Sequence, residues 1–222
     1  MRQNGIIIAI DGPTASGKST TAREVAKQLG YLHINTGAMY RAFALYASQW
    51  GVRDSDDTRI SGLAERVYLD FDEHGKILLE GRDVDAEIIA PEIATLASEL
   101  ATLPEVRKRM VEMQQEIGKN GGVVLDGRDI GTVVFPDAEL KIFLIAGAET
   151  RALRRMNELE QAGTPVALEI LTKQIHERDR RDSERELSPL RKADDAIELD
   201  TSLLQIKDQV QQVVSMVEQI IS

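Results

Sequence analysis

Near the start of this chain an apolar run, a glycine-bounded loop and a helical pattern follow one another directly. Ile6 to Ile10 is apolar, β-branched but for Ala9, and strand-sized. Gly12-Pro13-Thr14-Ala15-Ser16-Gly17-Lys18-Ser19 comes next and fits the pattern G-x-x-x-x-G-K-[ST]. Lys18 to Leu29 then reads as a helix that includes Thr20, with Gly30 placed to end it. In this context the loop can curl so that its backbone N–H groups point inward at phosphate oxygens. The helix that begins near Lys18 adds its positive N-terminal dipole. Lys18 is placed to reach the β- and γ-phosphates of a bound triphosphate, and the Ser19 hydroxyl to ligate Mg²⁺.

The alternation continues. Tyr31 to Ile34 predicts a short strand and Gly37 to Trp50 a helix, in which Met39, Phe43, Tyr46 and Trp50 recur at helical spacing. Tyr40 and Trp50 read as core or near-core groups. Val123 to Leu125, Leu140 to Ile145 and Ala196 to Leu199 are further strands, and Leu203 to Ile221 is a closing helix. Strands alternating with helices predict a three-layer α/β fold with a parallel sheet of about five strands. Residues 66–104 break the rhythm. Val67 to Phe71, Lys76 to Leu79 and Arg82 to Val84 suggest an antiparallel patch turning at His74-Gly75, and Glu92 to Ala101 a helix after Pro91. The expectation is a single domain over residues 1–222 with an insert at about 66–104 and a small helical lid at about 148–188, hinged near Ala162-Gly163-Thr164-Pro165.

Composition narrows the chemistry. The formal charge is −10, which disfavours a nucleic-acid polymer as partner. There is no cysteine, which excludes disulfides and thiolate metal sites and suits a reducing compartment. His33, His74 and His176 show no ligand spacing. No membrane span and no secretory leader are visible, so the expected location is cytoplasmic.

A metal-bound triphosphate needs a second carboxylate near the cation. Asp126 ends the apolar run Val123-Val124-Leu125 and should project beside the phosphate loop, to act on Mg²⁺ directly or through water. No asparagine begins an Asn-Lys-x-Asp base reader, so a GTPase switch is disfavoured. A small kinase is the natural reading. Phosphoryl transfer is catalysed mostly by position and charge, so such a kinase should gather arginines around two phosphate groups. Arg178, Asp182 and Arg185 fall at i, i+4 and i+7, on one helix face. Arg151 and Arg155 fall at i and i+4. A solvated, salt-bridged helix face carries the same spacing.

At these residues the chain resembles the bacterial cytidylate kinases of the nucleoside monophosphate kinase family. The matching stretches are Ile10 to Ser19, Thr36-Gly37-Ala38-Met39-Tyr40-Arg41, the segment Asp126 to Asp137, and Arg178 to Arg185 followed by Ser188-Pro189-Leu190. The Asp126 segment is the most specific of them. The resemblance implies transfer of the γ-phosphoryl group of ATP to CMP or dCMP by a monomer, with Mg²⁺. It implies that Arg41, Arg128 and Arg185 grip the acceptor phosphate, and that Ser98, Arg107 and Asp129 meet the cytosine edge. Arg178 and Asp182 would lie near the sugar and the lid. Thr36 stands where the family commonly has Ser and keeps a hydroxyl. The donor would be held by Gly12 to Ser19, Thr20, Arg151 and Arg155, and Lys18, Arg128, Arg155 and Arg185 would stabilise the transferring group. Two rivals fit the same residues: a kinase for UMP, AMP or a non-nucleotide alcohol, and a non-catalytic nucleotide-dependent regulator.

Overall fold

The computed structural model describes residues 2–161 and 163–221. Its central sheet is built from β1 (Ile7–Asp11), β2 (Leu32–Asn35), β6 (Val123–Gly127), β7 (Leu140–Ile145) and β8 (Ile197–Asp200). The spatial order is β2-β6-β1-β7-β8, with every pairing parallel. β1 and β6 are buried along their whole length, and their apolar runs Ile7 to Ile10 and Val123 to Leu125 suit strands covered on both faces.

On one face lie α1 (Lys18–Leu29) and α8 (Ile206–Ile221), which pack Val25, Val213 and Val217 against Ile8, Ile10 and Ile142. On the other lie α2 (Thr36–Gln49) and α5 (Pro104–Gly118), with Met39, Phe43 and Met110 against Ile7, Ile34 and Leu125. Each large apolar side chain buried in this way contributes about 2 kcal/mol. Between α2 and α5 the chain forms α3 (Ile60–Arg66), a three-stranded antiparallel sheet of β3 (Leu69–Phe71), β4 (Ile77–Leu79) and β5 (Arg82–Asp83), and α4 (Pro91–Leu100). The break in rhythm at 66–104 is therefore a change from parallel to antiparallel pairing. α3 escaped the pattern reading. Asp72 organises the hairpin turn by accepting from the His74 and Lys76 amides.

A helical pair, α6 (Ala148–Gln161) and α7 (Leu168–Glu184), packs on itself through Ala152, Leu171 and Ile175. Ala162, part of the expected hinge, lies outside the described residues. Trp50 corrects the expectation of a near-core residue. It follows the last turn of α2, is 56% exposed, and meets Tyr46 edge-on. Helical spacing cannot register that the helix has already run past the core. Among the described residues no helix is long and apolar enough to cross a membrane.

Candidate active site

The parallel register brings three chemistry-bearing segments to one end of the sheet. Asp11 of β1 lies opposite Gly127 of β6, and Asn35 of β2 lies opposite Asp126. The phosphate loop, the start of α2 and the loop after β6 therefore leave the sheet side by side, at the carboxyl ends of the strands, where open α/β sheets place their ligands.

The loop geometry depends on two glycines. Gly12 has φ +148, and a Cβ there would stand 2.3 Å from the Leu144 carbonyl oxygen. Gly17 has φ +92 and occupies the N-cap position of α1 without a side-chain cap. No acidic residue lies in the first turn of α1. Its leading amides and dipole are thus left to an external anion. Lys18 curls back to donate to the Pro13 carbonyl at 2.6 Å. Burial first, and then Arg128, push its pKa well below the ordinary lysine value, against the pull of Asp126 and Asp11. Arg151 braces the loop from α6. It donates to the Thr14 carbonyl at 3.2 Å and pairs with Asp179 of α7 at 2.6 Å.

Ser19 and Asp126 meet as the sequence pattern anticipates, with Ser19 Oγ donating to Asp126 Oδ2 at 2.6 Å. His33 Nε2 lies 2.8 Å from the other oxygen, Oδ1. Burial alone would raise the Asp126 pKa; contact with His33, then Ser19 and Lys18, outweighs it and holds the carboxylate below its usual range. Thr36 is buried and donates its hydroxyl to the Asp126 carbonyl at 2.7 Å, so it supports the same corner.

Arginines converge from three elements. Arg128 Nε donates to Asp182 Oδ2 at 2.7 Å, and Arg185 to Asp182 Oδ1 at 2.9 Å. One carboxylate thus aligns two guanidinium groups. The Arg185 Nε is buried and has no hydrogen-bond partner among the described residues. Arg178 keeps part of its surface in water, but its guanidinium is crowded. Desolvation there, followed by repulsion from Arg128, lowers its pKa to about 10. The Arg41 pKa is lowered by burial too, with Asp126 and Asp85 opposing. Asp182 is the one carboxylate that Arg128 and Arg185 share, and it also faces Arg178, so cations outnumber carboxylates at this point.

Arg107 and Asp129 form a buried ion pair, and the Arg107 guanidinium lies 5.9 Å from the Tyr40 ring centroid. Arg107 is therefore enclosed. The Tyr40 pKa is pushed up to about 12, mainly by burial. Ser98 is half-buried on α4, which packs against α2. Two expected residues are not drawn into this network: Ser98 has no hydrogen bond to it among the described residues, and Arg155 is half-exposed and pairs with Glu158 at 2.9 Å. Arg154 reaches inward instead, bonding the Thr201 carbonyl and meeting the Ser16 carbonyl at 3.5 Å. Pattern reading overlooked Arg154 and His33. Arg154 was accessible as an i, i+3 partner of Arg151; the His33–Asp126 contact joins residues 93 apart and left no local signal.

The sequence profile described as cytidylate kinase matches residues 8–219. A cytidylate kinase of Pelodictyon phaeoclathratiforme is 50% identical over 215 residues, covering 94% of this chain and 93% of its own. One from a Geobacillus species is 47% identical over 220 residues, covering 98% of each chain. Among solved structures, shikimate kinase from Bacteroides thetaiotaomicron superposes with a TM-score of 0.50 at 13% identity, over 96% of this chain and 98% of that one, which shows a shared fold.

Proposed function

The chain belongs to the cytidylate kinase family, and from that premise we propose how its residues move the γ-phosphoryl group of ATP onto CMP or dCMP. The observation that carries the reading is the convergence of Lys18, Arg41, Arg128, Arg178 and Arg185 at the carboxyl ends of the strands, where burial and then the Arg128 charge lower the pKa values of Lys18 and Arg178. Two bound nucleotides would supply the negative charge that this cluster lacks.

The donor phosphates sit in the Gly12 to Thr20 loop against the α1 amides. Lys18 exchanges its Pro13 contact for the β- and γ-oxygens. Arg41, Arg128 and Arg185 take the acceptor phosphate, and Asp182 presents two of them in a fixed fork orientation. The buried Arg185 Nε supports an anion at that point. Arg178 and Asp182 lie toward the sugar and lid, and Thr36 backs the acceptor side. The acceptor oxygen is already anionic, so no strong general base and no covalent intermediate are required. Catalysis is alignment plus charge stabilisation by Lys18, Arg128 and Arg185, joined by Arg155 if the lid swings inward.

Cytosine is read by Asp129 accepting from the exocyclic amine and by Arg107 donating to the ring acceptors, with Ser98 on the α4 side. Uracil reverses donor and acceptor at two of these positions, leaving buried groups unpaired. Mg²⁺ fits the remaining oxygen donors. Ser19 Oγ and Asp126 Oδ2 lie together, and no cluster of three or more His, Cys, Asp or Glu competes for a cation among the described residues. One carboxylate, one hydroxyl, water and phosphate suit that ion. Held by Ser19 and Asp126, it would supply positive charge to the ATP phosphates. The proposal includes a monomer acting in the cytoplasm. Incubation with γ-labelled ATP tests the central step: label should pass to CDP with CMP present. Label appearing only in inorganic phosphate would overturn it.

A further inference from the structure

Asp129 occupies the N-cap position of a short π-helical turn, Ile130–Val134, yet its side chain makes no capping hydrogen bond there. Its carboxylate is turned onto Arg107 instead. A residue of its type at a helix start ordinarily spends its oxygens on the leading amides. Those amides still need acceptors, because they are buried. They find them in a residue more than a hundred positions away: Asp11 Oδ1 accepts from Ile130 N at 2.9 Å and Asp11 Oδ2 from Gly131 N at 2.8 Å.

We propose that Asp11 is a positioning residue for base recognition, capping the Ile130–Val134 turn from β1 so that the Asp129 carboxylate is released to face Arg107 and the cytosine edge. The inference rests on the reading of Asp129 as a cytosine contact. Asp11 is buried and directly precedes Gly12, so the same residue ties the root of the phosphate loop to the base-reading loop. Burial raises its pKa to about 6, opposed by the two amides. Keeping a carboxylate at so costly a place is explicable if its geometry is needed. π-turns of this kind gather at functional sites. Without the remote cap, the Asp129 carboxylate is the nearest acceptor for its own turn and is drawn from the base.

The test measures kcat/KM for CMP and for UMP, and KM for ATP, in the wild type, Asp11→Asn, Asp129→Ala and the double variant. Asp11→Asn should lower the CMP-over-UMP preference about tenfold, the scale of one lost buried hydrogen bond, while KM for ATP moves less than about threefold. The double variant should be no less selective than Asp129→Ala alone. Selectivity lost in Asp129→Ala but intact in Asp11→Asn would overturn the positioning role. Selectivity intact in Asp129→Ala would overturn the cytosine reading itself. If Asp11→Asn does not fold, Gly131→Ala replaces it. A Cβ there meets the buried Lys141 stem at 3.1 Å, so the stem or the capped turn must give by a few tenths of an ångström while the Asp11 charge is kept. The same loss of preference is expected, and retained preference would refute the proposal.

Discussion

His33 Nε2 lies 2.8 Å from Asp126 Oδ1, on the oxygen that Ser19 leaves free. The imidazole thereby fixes the rotation of the carboxylate that the proposed function assigns to Mg²⁺. Such outer partners commonly alter metal affinity by about tenfold or more. His33→Phe should raise the Mg²⁺ concentration needed for half-maximal turnover by about that factor, with KM for CMP almost unchanged. Calorimetric titration of Mg·ATP should weaken in parallel. An unaltered Mg²⁺ requirement would reduce His33 to a packing role.

Asp11 makes a pH prediction with a definite sign. Its folded pKa of about 6 stands above the ordinary 3.8, so the folded state holds a proton that the unfolded chain releases. The associated stability is fully present below about pH 4 and is lost as pH rises through 6. Asp11→Asn stays neutral throughout. Urea unfolding across pH 4 to 7 should therefore find the wild type losing ground to the variant by on the order of 2–3 kcal/mol, then a plateau. Parallel curves would show that Asp11 titrates normally.

Lys18→Ala should cut turnover by at least about a thousandfold, since a cation on the transferring group is worth that much in related chemistry. The fold should survive, because the replaced ammonium is buried and its charged form is disfavoured there. Circular dichroism melting should give a midpoint no lower than the wild type. Turnover within tenfold of the wild type would remove Lys18 from the catalytic set.

Arg154 and Arg155 should separate by phenotype. Arg155→Ala should lower kcat by about a hundredfold through loss of a lid cation, with stability unchanged, because its pair with Glu158 is exposed. Arg154→Ala unties the Thr201 and Ser16 carbonyls and should lower the melting midpoint. Full activity in Arg155→Ala would leave that residue on the surface.

Much of the architecture was legible because it is local. The phosphate loop states its own neighbours, and the Lys18–Leu29 helix and Leu140–Ile145 strand have the bounds that their patterns predict. What escaped depends on tertiary context. α3 has only Ile60, Leu63 and Ala64 to bury, too short a stripe for periodicity. The π-turn Ile130–Val134 has β-branched residues that favour a strand, and it holds because Asp11 caps it from β1. The choice between Arg154 and Arg155 is a rotation of about 100° around one helix, which i, i+3 and i, i+4 spacing both permit. Nothing local marks Arg107 as buried, because its partner Asp129 lies 22 residues on.

The most direct test of the whole account is ADP release with Mg·ATP and CMP, dCMP, UMP, AMP, dTMP or no acceptor. Rapid release with CMP and dCMP, weak release with UMP and background elsewhere is the predicted result. Rapid release with AMP or dTMP and none with CMP would contradict the cytosine site, and release that no acceptor accelerates would contradict phosphoryl transfer to a nucleotide.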